Sequence, residues 1–314
     1  MVDPRDPVLG FDLVLRIAQK HVPTAKEVTG VDESGGQARA YFIDEQLVLK
    51  VQRPHKVEPR TSLAREAFHL PQLAQHLPEL PVPRLFGYGR EGSLEYLLIS
   101  RVAGVPVWEA TPIRPTALPG VHVEGEARAA LLRDLGRLLR RLHSLPSAPL
   151  RESGLYPGDR DSGDTRRRVE SLLAGALAAI RAEPGSWELE VSPETIAARV
   201  RECLAGEVQA PMPLHSNPGP EHVLIDPDSL RLCGLIDFGD AYFSHPAFDA
   251  RRWVLPEDQT AILQGYAEAG SPLSAAFYHC WHAVVMANLL YDVALRPRRR
   301  AHSLVGLRST LMNA

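Results

Sequence analysis

His215-Ser216-Asn217-Pro218-Gly219-Pro220-Glu221-His222 runs directly into Val223-Leu224-Ile225-Asp226, and Ile236-Asp237-Phe238-Gly239 follows. The β-type runs Val223–Asp226 and Leu230–Asp237 flank the turn Pro227-Asp228-Ser229, which predicts a loop followed by a hairpin. Position 217 stands two residues after His215, position 222 five after 217, and Asp237 at the hairpin's end. A hairpin returns the chain on itself, so this spacing gathers 217, 222 and 237 on one side. Singly, these residues say little: His215 alone reads as a buried, hydrogen-bonded histidine, and Asp-Phe-Gly occurs by chance.

Order along the chain adds what the single residues lack. Upstream, a short amphipathic helix at Val8–Gln19 precedes strand signals at Ala25–Val31, Ala38–Asp44 and Gln46–Val51. Helical spacing over Thr61–Leu77 contains Pro71, which predicts a kink or a break. Two further strands are expected at Arg84–Gly89 and Leu94–Val102. Beyond them the chain turns helical, over Glu124–Leu145, Thr165–Ala182, Pro193–Leu204 and from about Glu257 onward. Pro146–Arg168, rich in Pro, Gly, Ser and charge, reads as a flexible segment. Strands first and helices second predict an α+β chain of two lobes, residues 1–101 and 102–314.

Bulk properties set limits. Apolar residues make up 45% and charged residues 23% of 314, and the net charge is −3, which argues against a nucleic-acid partner. Cys203, Cys233 and Cys280 are widely spaced and odd in number, which fits a reducing cytoplasm better than a disulfide framework or a zinc site. The opening MVDPRDPVLG lacks the basic-then-apolar pattern of a leader, and no membrane span is expected. His279 and His282 lie three apart with no third ligand and read as packing. Arg296-Pro297-Arg298-Arg299-Arg300 reads as a solvated basic surface, with anion binding as the alternative; it argues mildly against a polycationic ligand beside it.

The stretch LHSNPGPEHVLIDPDSLRLCGLIDFGDAYFSHPAFD resembles the catalytic region of the aminoglycoside phosphotransferase family, small-molecule kinases with a protein-kinase-like fold. Val48-Leu49-Lys50-Val51 resembles the family's lysine strand, Arg65-Glu66 its glutamate helix, Leu97–Gly104 its hinge, and Leu142-His143-Ser144-Leu145 the helix end before a variable substrate region. The resemblance implies a small antiparallel-sheet lobe over a mostly helical one, and ATP and Mg²⁺ as cofactors. It also implies a hydroxyl on a small molecule as acceptor. Lys50 would meet the nucleotide phosphates, held by Glu66, with Ser34-Gly35-Gly36 as a backbone cradle and the Ser100–Val102 main chain at the adenine edge. Asp237, with His222, would hold the metal, while His215 and Asp249 would brace the catalytic loop.

Two positions depart from the family pattern. Asn217 stands where an aspartate is expected, and an amide orients a hydroxyl but does not take its proton. Loss of a base costs ~10²–10⁴ in rate, although loose phosphoryl transfer depends mainly on positioning and charge. The chain is then a phosphotransferase positioned by Asn217, or a catalytically silent nucleotide-binding protein of the same fold. An introduced change at 217 would also account for the amide, and so would a base supplied by Glu221 or Asp240; the last ranks lowest because it needs a reshaped loop. His222 stands at a metal-binding asparagine position, and imidazole is a poor partner for Mg²⁺.

Overall fold

Alternation in the early strands decides which side of the first sheet faces what. The computed structural model describes residues 6, 8–54, 62–110, 122–183, 185 and 187–312; of the segments named above, Thr61 and most of the opening stretch lie outside these. Helix α1 (Phe11–Gln19) is followed by β1 (Val28–Asp32), β2 (Ala38–Ile43) and β3 (Leu47–Gln52). Helix α2 (Ser62–His76), β4 (Leu85–Glu91) and β5 (Leu94–Ser100) complete the unit, whose antiparallel sheet has the order β1-β2-β3-β5-β4. In β3, Leu47, Leu49 and Val51 are buried with Tyr41, Ile43, Tyr96 and Leu98 against Val14 and Ile17 of α1. The period of two therefore turns Lys50 to the opposite face, toward α2. Leu97 and Ile99 share that face and join Leu63 and Leu70 of α2 in a second core that continues into the helical part.

Pro71 does not break α2, which runs unbroken from Ser62 to His76. The ring removes one backbone donor, but Leu63, Ala67, Leu70 and Leu73 keep a continuous buried stripe, so packing outweighs the missing bond.

The chain then passes through β6 (Val105–Pro106) and a 3₁₀ turn at Val107–Ala110 into α3 (Gly125–Leu142), α4 (Ser147–Glu152), α5 (Ser162–Ala182) and α6 (Pro193–Leu204). The segment expected to be flexible, Pro146–Arg168, instead holds α4 and the start of α5, because Leu150, Thr165 and Asp159 are buried there. Helix α6 starts where Ser192-Pro193 predicts: the Ser192 side chain accepts from the Thr195 N–H. Next come β7 (Met212–Leu214), β8 (Val223–Ile225), β9 (Leu232–Leu235), β10 (Tyr242–Ser244) and α7 (Ala247–Ala250), then α8 (Pro256–Glu268), α9 (Ala275–Leu295) and α10 (Arg300–Met312). The chain is α+β and kinase-like, a small antiparallel sheet joined to a mostly helical body. Among the described residues, no helix is long and apolar enough to cross a membrane.

Two short pairings do the positional work. β7 pairs with β10, Leu214 opposite Tyr242, and β8 pairs with β9, Val223 opposite Leu235. The segment 215–222 leaves β7 and 236–241 leaves β9, so the two pairings set both segments side by side.

Helices α3 and α8 cross closely at glycines. A Cβ on Gly265 would lie 1.9 Å from the Arg133 carbonyl oxygen, and one on Gly136 would lie 2.1 Å from that of Ile262. Gly265→Ala is expected to lower the unfolding free energy by roughly 1–3 kcal/mol through overpacking, read as a lower urea midpoint; an unchanged midpoint would show that the helices separate freely.

Candidate active site

Three elements remote in sequence place charge at one point. The Lys50 ammonium donates to Glu66 Oε1 at 3.0 Å, to Glu66 Oε2 at 2.7 Å and to Asp237 Oδ1 at 2.8 Å. Glu66 is fully buried, and its Oε1 also accepts from the Phe238 N–H at 3.4 Å. Burial opposes the charge on Lys50, but Asp237 and Glu66 outweigh it and hold the ammonium above the usual lysine pKa. At Asp237, desolvation opposes ionisation; Lys50 and then His222 overcome it, so the carboxyl stays well below its usual range. The Asp237 side chain keeps 43% of its surface exposed, against 16% for Lys50. Its φ of 72° aims that carboxylate from a backbone conformation that only Asn, Asp and Gly adopt readily.

The 215–222 loop hangs from one buried carboxylate. Asp249 accepts from the His215 N–H at 2.8 Å, the Ser216 N–H at 2.7 Å and His143 Nε2 at 2.9 Å. These bonds hold Ser216 at φ 85°, a conformation that costs on the order of 1–3 kcal/mol elsewhere. His215 Nδ1 accepts from the Asn217 N–H at 3.2 Å, so Nε2 carries the hydrogen and donates to the Ile236 carbonyl at 2.9 Å. Both ring nitrogens of His215 are thus committed to tying the loop to the Asp237 segment. His222 Nδ1 donates to the Asn217 carbonyl at 2.8 Å, which leaves Nε2 facing Asp237 Oδ2 at 3.4 Å.

The structure therefore brings Lys50, Glu66, Asp237 and His222 together, with Asn217 and His215 on the adjoining loop. Ser34-Gly35-Gly36 forms the β1–β2 turn. Lys50 sits opposite Ala40, two residues from the sheet end that this turn closes. A Cβ on Gly35 would lie 2.4 Å from the Ala38 carbonyl oxygen, so the turn requires glycine there. Arg53 fastens it by donating to the Gly35 carbonyl at 2.8 Å. Ser100 is partly committed, since its N–H donates to the Arg84 carbonyl and its hydroxyl accepts from the Arg84 N–H, both at 2.8 Å. Val102 lies beyond β5, in van der Waals reach of Gly234.

Sequence reasoning missed Arg251 and Arg252. Arg252 Nη1 donates to Asn217 Oδ1 at 2.9 Å and its Nη2 to Glu221, while Arg251 Nη2 donates to the Ser216 carbonyl at 3.2 Å. Their position directly after Asp249-Ala250 was the available signal. Glu221 is turned into the loop, its Oε2 buried where a Cβ on Gly219 would lie 2.8 Å away. His279 and His282 join no cluster of three metal-ligating side chains, none of which occurs among the described residues. A cavity of about 790 Å³ lined by Cys203, Leu263, Tyr278, Trp281, His282 and Met286 includes none of Lys50, Glu66, Asn217, His222 and Asp237.

A model of the phosphotransferase enzyme family (APH) matches residues 29–279, a span containing every residue of this cluster. The chain belongs to that family. Among curated relatives, the aminoglycoside 3'-phosphotransferase of Streptomyces ribosidificus is 28% identical over 192 residues, 59% of this chain. The aligned region spans 64% of that relative's length. Among solved structures, macrolide 2'-phosphotransferase type I matches with a TM-score of 0.60 and 19% identity, over 96% of this chain and 95% of the other. The GDP complex of aminoglycoside 2'-phosphotransferase-IIIa matches with a TM-score of 0.61 and 17% identity, over 97% and 99%. At such identities the structural matches speak for the fold that the APH chain shares with them.

Acid should weaken this APH fold around Phe238, whose ring packs against His69 and His215 at centroid distances of 5.3 and 4.6 Å. Burial pushes His69 down to about 3 and His215 down to about 4. Both are neutral in the fold and protonate more readily when unfolded, near pH 6.5. Stability is then full above pH 6.5 and falls as pH drops toward the folded values, by roughly 1 kcal/mol per pH unit for each ring. Urea midpoints at pH 7.5, 6 and 5 should show this fall, with a shallower slope in His69→Gln; an equal slope would remove His69 from the account.

Proposed function

We propose that this chain transfers the γ-phosphoryl group of ATP, with Mg²⁺, to a hydroxyl of a small molecule. The observation that carries this reading is the Lys50 ammonium held between Glu66 and Asp237 beside the Asn217 loop. Phosphoryl transfer depends on positioned charge more than on covalent chemistry, and here the charges are in place. Lys50 would bind phosphate oxygens, Glu66 would hold Lys50, and the Ser34–Gly36 turn would cover the phosphates. Of the hinge positions, Val102 is the better adenine partner, because the N–H groups of Ser100 and Arg101 already donate to Arg84 and Gln46. The nucleotide lobe would be residues 1–101 and the acceptor lobe 102–314.

The residues fit the metal ion. Mg²⁺ takes one or two protein carboxylates and completes its shell with phosphates and water, and Asp237 offers a half-exposed carboxylate. The donor set adds a reason. His222 Nδ1 donates to the Asn217 carbonyl, so its Nε2 faces Asp237 Oδ2 at 3.4 Å and stands beside the carboxylate that would hold the ion. When bound, the ion would neutralise charge on the transferring group. Asn217 would orient the acceptor hydroxyl through the second lone pair of Oδ1, and His215 would hold the loop without exchanging protons.

The family match and the assembled charge cluster support transfer over a catalytically silent nucleotide binder. Relatives named for aminoglycosides and macrolides support hydroxylated compounds as the acceptor class. A need for ATP and three free cysteines support the cytoplasm, and a net charge of −3 supports no nucleic-acid partner. Calorimetric titration of ATP with Mg²⁺ should show saturable binding, weakened roughly tenfold or more by Lys50→Ala and by Asp237→Ala. Asn217→Ala should keep nucleotide affinity and lower acceptor-dependent ADP release. A folded chain that does not bind ATP would end this reading.

A further inference from the structure

Ser62, Arg65, Glu66 and His69 recur at helical spacing on α2, and all four meet the bend that carries Asp237. A Cβ on Gly239 would lie 2.9 Å from that of Ser62. Glu66 accepts from the Phe238 N–H at 3.4 Å, and the His69 ring stacks on Phe238 at 5.3 Å. Arg65 belongs to this stripe but not to the charge cluster. Its Nη1 donates to the Gly239 carbonyl at 2.6 Å and its Nε to the Leu155 carbonyl at 3.0 Å. Both acceptors are main chain. The segment that supplies Leu155 is itself anchored: the Pro157 carbonyl accepts from the Phe243 N–H at 3.1 Å, and the Asp159 N–H donates to the Phe243 carbonyl at 2.7 Å. The Tyr156 hydroxyl lies 3.0 Å from His69 Nδ1, which ties the same segment to α2.

The two sides of Asp237 are held by different parts of the fold. Before it, the Ile236 N–H donates to the His222 carbonyl at 3.1 Å and the Ile236 carbonyl accepts from His215 Nε2 at 2.9 Å. After it, α2 takes hold, through Glu66 on the Phe238 N–H and Arg65 on the Gly239 carbonyl. Between these grips Asp237 stands at φ 72°, a conformation that persists where the surroundings impose it. We propose that Arg65 is a positioning residue for the metal ion: by spanning the Gly239 and Leu155 carbonyls it fixes the bend that aims the Asp237 carboxylate. The ion comes from the phosphotransferase reading; the clamp stands on the two hydrogen bonds. A guanidinium suits the task because its donors lie in one rigid plane and reach two oxygens at once, whereas an ammonium is a point charge on a flexible stem. Neighbouring residues of α2 thus divide the work. Glu66 sets the cation for the phosphates, and Arg65 sets the carboxylate for the ion. Without Arg65, Lys50 keeps Glu66 while Asp237 loses its aim.

Calorimetric titration of ATP into the full chain, without divalent metal and then with Mg²⁺, separates this clamp from the rest of the site. The unmodified chain should bind ATP more tightly with Mg²⁺. Arg65→Ala should bind metal-free ATP as the unmodified chain does, since Lys50 and Glu66 are intact, and should lose roughly tenfold of the Mg²⁺-dependent gain. Arg65→Lys, which reaches one carbonyl, should recover part of that gain. Gly265→Ala crowds the α3–α8 crossing and is the control for stability: the urea midpoint should fall and the gain should stay. If Arg65→Ala does not fold, Arg65→Lys and Arg65→Gln decide. A folded unmodified chain that binds no ATP overturns this proposal together with the phosphotransferase reading. ATP binding with no Mg²⁺ gain, a gain that survives in the Arg65 variants, or one lost equally in Gly265→Ala overturns this proposal alone. So does a fall in metal-free ATP affinity as large as the fall with Mg²⁺, because Arg65 would then support the lobe as a whole.

Discussion

An ammonium group between two carboxylates joins parts of this protein that folding must bring from far apart. Lys50 comes from β3, Glu66 from α2 and Asp237 from the bend after β9, and no pair of them is local. Glu66 is buried so completely that it would be intolerable without Lys50, and burial would disfavour the Lys50 charge without Glu66 and Asp237. Such an arrangement has little value as a source of stability, since desolvation consumes much of the attraction. Its consequence is positional. The sheet, the helix packed on its inner face and the loop region of the helical body are registered to one another by a single nitrogen atom.

A second buried carboxylate does for the loop what Lys50 does for the lobes. Asp249 draws two successive backbone N–H groups and one imidazole, and by doing so holds Ser216 in a left-handed conformation that serine avoids when free. The strain persists because the surroundings over-determine it. His215 then spans the gap between this loop and the Asp237 segment with both ring nitrogens, which is why burial leaves it neutral. The two networks meet at Phe238, whose N–H reaches Glu66 and whose ring rests on His215 and His69.

Much of this was legible in the sequence, for identifiable reasons. Alternating strands reveal which face of β3 carries Lys50, because a period of two admits no other choice once Leu47, Leu49 and Val51 are inward. The spacing 215, 217, 222, 237 survives because a hairpin of fixed length lies inside it. Of the kink or break that Pro71 predicts, the break is absent, since the continuous apolar stripe carries α2 through it. Pro146–Arg168 misled for the same kind of reason: its composition is that of a loop, yet Leu150 and Thr165 find buried positions supplied by distant segments. Arg252 was missed because its place directly after Asp249-Ala250 does not tell what it touches. Its meaning comes from a contact with Asn217 across 35 positions, and only the fold supplies that contact.

That contact also changes how Asn217 is read. Considered alone, an amide in place of a carboxylate is a loss, because a proton acceptor has gone. Considered with Arg252, it is an exchange of one electrostatic arrangement for another. A carboxylate at 217 would be ion-paired to a guanidinium 2.9 Å from the oxygen, and such a pairing lowers basicity, so an aspartate here would be a weak base in any case. Base strength and local positive charge are therefore linked variables in this loop. With Arg252 in place the chain keeps the charge and forgoes the base, a combination suited to a reaction governed by electrostatic positioning.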